Sequence, residues 1–97
     1  MTKRQEEILS VLSGGFRYEE SDWITASILM SALLERRALR LPNEGLEEVA
    51  HDLELLKRQG LVEFSPTIYH GSIEGFTTRM TARGYNMLHY GRPSLVG

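Results

Sequence analysis

The sequence predicts an α+β domain: three helices share a core, a β-hairpin flanks it, and a fourth helix closes the chain. Two stretches carry that reading. In Leu46–Phe64 the residues Leu46, Val49, Leu53 and Leu56 recur at spacings of three and four, which puts them on one helical face. Gly60 follows, able to take the left-handed conformation that closes a helix, and Leu61-Val62-Glu63-Phe64 switches to strand composition. In Leu61–Met80, two extended runs flank His70-Gly71-Ser72, a turn-like cluster.

Each element has its own local signal. Thr2 caps a first helix running to about Ser13, with Ile8, Leu9 and Leu12 as its apolar stripe and Glu6 and Glu7 near its positive end. Gly14-Gly15 ends it. Phe16–Trp23 reads as a linker, from which Phe16 or Trp23 is expected to enter the core. A second helix is expected from about Ile24 to Ala38. Its apolar positions wrap most of the way round, with only Ser27, Ser31 and Glu35 as a polar strip. A helix of that kind is central to a core or covered by a partner chain. Leu41-Pro42 breaks it, and Asn43 is expected to cap the third helix. Lys57 and Arg58 suit the C-terminal dipole of that helix. The hairpin is read as Leu61–Tyr69 and Gly75–Met80, with Pro66 on an edge. Thr81 caps a last helix, Ala82–Tyr90, with Tyr85, Met87 and Leu88 facing inward, and Gly91–Gly97 is a short tail. One domain is expected over residues 1–90.

Composition narrows the class. A chain of 97 residues, 41% hydrophobic and 25% charged, is that of an ordinary globular domain. The chain has no cysteine, which excludes disulfides and thiolate metal sites and fits a reducing, cytoplasmic setting. No apolar run follows the basic N-terminal residues, so no secretory signal is read there. The most apolar stretch, Ile24–Leu34, is too short for a bilayer span, so no membrane partner is expected. The net charge is -2, unlike that of a strongly basic nucleic-acid binder. Its distribution is uneven. The acids Glu44, Glu47, Glu48, Asp52 and Glu54 crowd the middle, while Arg36, Arg37 and Arg40 precede them and Arg79 and Arg83 follow.

The run Val49-x3-Leu53-x2-Leu56-x3-Gly60-Leu61-Val62 resembles the third helix and first wing strand of winged helix-turn-helix proteins. Met80-Thr81-Ala82-Arg83-Gly84-Tyr85-x2-Leu88 is similar to their Leu-Thr-x-x-Gly-x-x-x-Leu closing motif, with Met at the first Leu position. With Ile8-Leu9-x2-Leu12, the resemblance spans nearly the whole chain, and small single-domain proteins of bacteria and their phages look most similar. It implies a winged-helix fold and a DNA-binding transcriptional regulator that reads double-stranded DNA as a homodimer. In that superfamily the third helix enters the major groove and the wing contacts phosphate or the minor groove. Here the groove-facing side is drawn from Glu44, Glu47, Glu48, His51, Glu54 and Arg58. The cations available for phosphate are Arg36, Arg37 and Arg40 before the helix, Lys57 and Arg58 at its end, and Arg79 and Arg83 near the wing. Carboxylates at the entering end of a reading helix repel a duplex, and the wing tip, His70–Glu74, has no Lys or Arg. The alternative is a protein-interaction module on the same scaffold, presenting Glu44, Glu47, Glu48 and Glu54 to a basic partner.

Other chemistry is not indicated. Glu48-x-x-His51 has the spacing of a di-iron helix pair, but such a site needs a second pair and further carboxylates. His70 and His89 are isolated. Neither a Gly-x-Ser-x-Gly elbow nor a Gly-x-x-x-x-Gly-Lys loop occurs. The expectation is a protein that is not an enzyme and uses no metal or cofactor.

Overall fold

In the computed structural model, which describes residues 1–14, 16–17, 20–40 and 44–90, the chain folds as an α+β unit with four helices and a three-stranded antiparallel sheet. The helices are α1 (Lys3–Ser13), α2 (Ala26–Glu35), α3 (Leu46–Arg58) and α4 (Ala82–Tyr90). The sheet has the order β3-β5-β4, formed from β3 (Ile24–Thr25), β4 (Val62–Tyr69) and β5 (Ser72–Met80). A separate two-stranded pairing joins β1 (Phe16–Arg17) to β2 (Glu20–Ser21). This architecture is compatible with a winged-helix arrangement.

Strong local signals set most boundaries. Thr2 caps α1 through a reciprocal pair: its hydroxyl accepts from the Gln5 amide at 3.1 Å, and its own amide donates to Gln5 Oε1 at 3.1 Å. The α1 stripe of Ile8, Leu9 and Leu12 packs on Leu29 and Leu33 of α2 and on Val49, Leu53 and Leu56 of α3. Val62 and Phe64 of β4 with Phe76 and Met80 of β5 complete the core, the two phenylalanine rings lying 5.6 Å apart. Thr78, fully buried on the same face, donates to the Glu63 carbonyl at 2.6 Å. The hairpin turns at His70-Gly71, both with positive φ (51° and 77°), as a tight two-residue turn requires. A register shift after Thr67 leaves Glu74 as an extra residue in β5. Residues 65–72 are all exposed, so the distal hairpin projects beyond the core.

Several expectations are corrected, among them the second hairpin strand, which begins at Ser72 rather than Gly75 because Ser72 and Ile73 pair with Tyr69 and Ile68. The second helix begins at Ala26 rather than Ile24, because Ile24 and Thr25 pair with Thr78 and Thr77 of β5 as a short strand. Two β-branched residues at a helix start are easily drawn into a sheet edge. It also ends at Glu35, not Ala38, where the chain turns through Arg37 at φ 57°. The stretch read as a linker contains the β1–β2 pairing. Of the two rings expected for the core, Trp23 stays out, 47% exposed with its ring under the Arg79 guanidinium at 4.8 Å, which leaves that expectation to Phe16. The Phe16 side chain, the Leu41-Pro42 break and the 91–97 tail lie outside the described residues. The N-cap of α3 is Gly45 rather than Asn43, because the helix starts only at Leu46 and Glu48 reaches back to the Gly45 amide.

The closing motif has a concrete role. The Thr81 hydroxyl accepts the Gly84 amide at 3.0 Å and donates to the Gly60 carbonyl at 2.7 Å. The Thr81 amide donates to the Leu61 carbonyl at 3.1 Å. One residue thus caps α4 and fastens it to the corner between α3 and β4. Gly84 lets the two approach: a Cβ there would lie 2.1 Å from the Leu61 carbonyl oxygen.

Candidate nucleic-acid interface

The residues expected to govern nucleic-acid contact lie around α3, and the fold sorts them into committed and uncommitted charges. Most of the acids are committed. Asp52 occupies a buried slot of α3, 3% exposed, facing the first turn of α1. Its carboxylate accepts from Arg4 Nε and from Gln5 Nε2, the latter at 3.2 Å. The Asp52 hydrogen bond is the main cause that raises the Arg4 pKa above its ordinary value, with Glu44 adding to it. Glu44 uses both oxygens: Oε1 accepts from Arg4 Nη1 at 2.8 Å and Oε2 from the Arg40 backbone amide at 2.7 Å. Arg4 is therefore the residue that ties α1 to both ends of the acidic stretch.

Glu48 reaches back to accept the Gly45 amide at 2.9 Å, and that hydrogen bond holds its carboxyl below the usual range. Glu54 pairs with Arg58 one turn on, at 3.5 Å. Of the four acids proposed for a basic protein partner, only Glu47 engages no hydrogen bond or ion pair among the described residues. His51 is exposed beside it. Among the described residues, no group of three or more His, Cys, Asp or Glu is placed to hold a metal, and no helix is long and apolar enough to cross a membrane.

The cations divide the same way. Arg36 donates to Ser10 Oγ at 2.8 Å and Glu7 at 3.3 Å, bridging α2 to α1. Arg79 pairs with Glu63, its register partner, at 2.9 Å and covers Trp23. Arg58 is shared with Glu54. No carboxylate engages the side chains of Arg37, Arg40, Lys57 or Arg83 among the described residues, and the same holds for Lys3. Two uncommitted groups result. Lys3, Arg37 and Arg40 line a concavity of about 350 Å³ near the N-terminal end of α3, where Arg4, Arg36, Glu7 and Glu44 form its paired walls. Lys57 and Arg83 sit at the other end, where Arg83 packs beside Gly60.

Sequence reasoning found the arginines but not which of them were free. It also passed over Arg4 and Lys3. A signal was present: Gln5 and Asp52 each place a polar residue in an apolar stripe, Gln5 with Ile8-Leu9-Leu12 and Asp52 with Val49-Leu53-Leu56. Polar groups in such slots require buried partners. The distal hairpin carries no cation and exposes Ile68 and Tyr69, at 64% and 59%. Compared with protein-family models, curated proteins and solved structures, the chain has no match.

Proposed function

We propose that this chain is a small winged-helix protein that binds double-stranded DNA as a transcriptional regulator of bacterial or phage type. The observation that carries the reading is the pair of uncommitted cation groups at the two ends of α3. A helix of 13 residues is about 20 Å long, enough to lie in a major groove about 12 Å wide with its ends toward the flanking phosphates. The acids of α3 oppose such contact less than their number suggests, since Arg4 offsets one of the two charges of Asp52 and Glu44 and Arg58 offsets that of Glu54. Ile28, exposed on α2, is the apolar residue offered to a second copy in a homodimer. The test is fluorescence anisotropy on random-sequence duplex across a salt series. Binding is expected to weaken steeply with salt, and Lys57→Ala with Arg83→Ala is expected to lower the log–log slope by about 1 per lost phosphate contact. A flat titration at low salt rejects the reading.

A second reading, a protein-interaction module that presents the acids of α3 to a basic partner, is favoured by a hairpin tip without cations. The tip exposes Ile68 and Tyr69, has Glu74 and lacks cations. Reversal of Glu47 and Glu48 to Lys separates the two. It strengthens DNA binding if α3 faces phosphate, and abolishes capture of a basic partner if α3 faces protein.

A further inference from the structure

We propose that the concavity between α1 and the end of α2 is a seat for a phosphate group, held by Lys3, Arg37 and Arg40. The charge balance there is the first argument. Arg4 and Arg36 pair with Glu44, Asp52 and Glu7, two cations against three carboxylates, and Lys3, Arg37 and Arg40, which pair with none among the described residues, leave the surroundings of the concavity of about 350 Å³ with a net charge of +2. Clustered cations without counter-charges repel one another, and an anion with several acceptor oxygens relieves that repulsion. The N-terminus of α1 opens on the same concavity at Thr2, Lys3 and Arg4, and its dipole adds in the same sense.

The backbone at Arg37 is the second argument. The end of α2 is a Schellman closure: the Ala38 amide donates to the Leu33 carbonyl at 2.8 Å and the Arg37 amide to the Leu34 carbonyl at 3.0 Å. Arg37 occupies its left-handed position, at φ 57°, where glycine is the low-energy choice. An arginine held there against local preference turns its side chain to the lining of the concavity. Glu44 holds the other wall, fixing the Arg40 backbone and Arg4 together. The site is thus built on one capped helix end and on the Arg40 backbone amide held by Glu44.

The shared chemistry is the phosphate oxygen. It has two sources, a free phosphate monoester and the phosphodiester backbone of DNA; only the second rests on the DNA-binding reading. The experiment is amide-detected NMR on the full chain at low ionic strength, titrated with inorganic phosphate, with a random-sequence duplex, and with chloride at matched ionic strength. Saturable shifts centred on Lys3, Arg37, Ala38 and Arg40 are expected with phosphate or duplex and not with chloride. Arg37→Gly and Arg40→Ala are each expected to weaken that binding about tenfold, the loss of one charge-assisted hydrogen bond. Arg37→Gly keeps the fold, since glycine suits the left-handed position, so its loss of binding reports the side chain. Shifts with phosphate alone support a monoester seat and leave the DNA reading to fail by itself. Shifts with duplex alone support a backbone contact. Duplex binding with these amides silent overturns the seat while the DNA reading stands. Silence toward both ligands, or binding unchanged in Arg37→Gly and Arg40→Ala, overturns the seat.

Discussion

The C-terminal ends of α2 and α3 are closed by the same hydrogen bonds and by different residues. At α3, the Leu61 amide donates to the Leu56 carbonyl at 3.0 Å and the Gly60 amide to the Lys57 carbonyl at 2.9 Å. At α2 the equivalent pair runs from Ala38 to Leu33 and from Arg37 to Leu34. Both left-handed positions have similar angles, φ 76° at Gly60 and 57° at Arg37. The α3 end satisfies every local preference: glycine at the turn, a buried Leu56 and Leu61 on either side, and α4 locked over it by Thr81 and Gly84. The α2 end keeps an arginine where glycine fits better and leaves it exposed on a basic concavity. One corner is built for stability, and the other gives up some stability to hold a charge in place.

The sharpest way to break the stable corner is Gly84→Ala. The added Cβ meets the Leu61 carbonyl at 2.1 Å, and backbone on both sides must move. Overpacking of this kind costs about 3 kcal/mol, measured as a shift in the urea midpoint. A midpoint shift of a few tenths of a kcal/mol only would show that α4 is not seated on Leu61. The matching break at the charged corner is Arg4→Met. It leaves Asp52 buried without its cation, and Arg4 is only 20% exposed, so the loss is expected near the low end for a buried pair, about 3 kcal/mol. Arg4→Met with Asp52→Leu together should recover most of it, because the removed pair no longer leaves an orphaned charge.

Those two corners also mark how far the sequence could be read. The α3 end, the hairpin and α4 were legible because their signals are local: Gly60 follows its stripe directly, His70-Gly71 sits between two extended runs, and Thr81 stands three residues before Gly84. The α2 region was less legible because its outcome depends on distant partners. Ile24 and Thr25 are strand because β5, more than 50 residues later, pairs with them. The Schellman turn at Arg37 carries no glycine to announce it. At the candidate interface, the residue types were visible and their commitments were not. Arg4 and Asp52 are 48 positions apart, and Arg36 and Glu7 are 29. Which cation remains free is a property of the packed helices, not of charge order along the chain.

Exchanging the two left-handed residues tests the comparison at smaller scale. Gly60→Ala is expected to destabilise by about 1 kcal/mol, a cost of φ alone, since the nearest atoms to the new Cβ are 3.6 and 3.7 Å away on the Arg83 side chain. Arg37→Gly is expected to stabilise by about 0.5 kcal/mol, the strain relieved less the added freedom of the unfolded chain. For a chain of this size, thermal midpoints should move by roughly 5 °C downward and 3 °C upward respectively. Loss of stability in Arg37→Gly would mean that the arginine is a structural residue and not one kept for its charge.

The smallest effect lies at the other end of α3, where a carboxylate does the closing. Glu48 accepts the Gly45 amide, which no side chain at Gly45 could help to cap. Its pKa is lowered in the folded chain, so the folded state favours the ionised form. The sign follows directly: the contribution is complete above the unfolded carboxylate pKa and disappears as pH falls through the lowered folded value. The side chain is exposed, so the contribution is modest and salt-sensitive. Glu48→Gln should therefore lower the thermal midpoint at neutral pH and make no difference once the pH is below the folded value. An equal deficit at both pH values would assign the loss to the shape of the side chain rather than to its charge. In that event Glu48 closes the first turn of α3 by its shape, and the charge-dependent tie at that end of the helix is the Arg4–Glu44 pair.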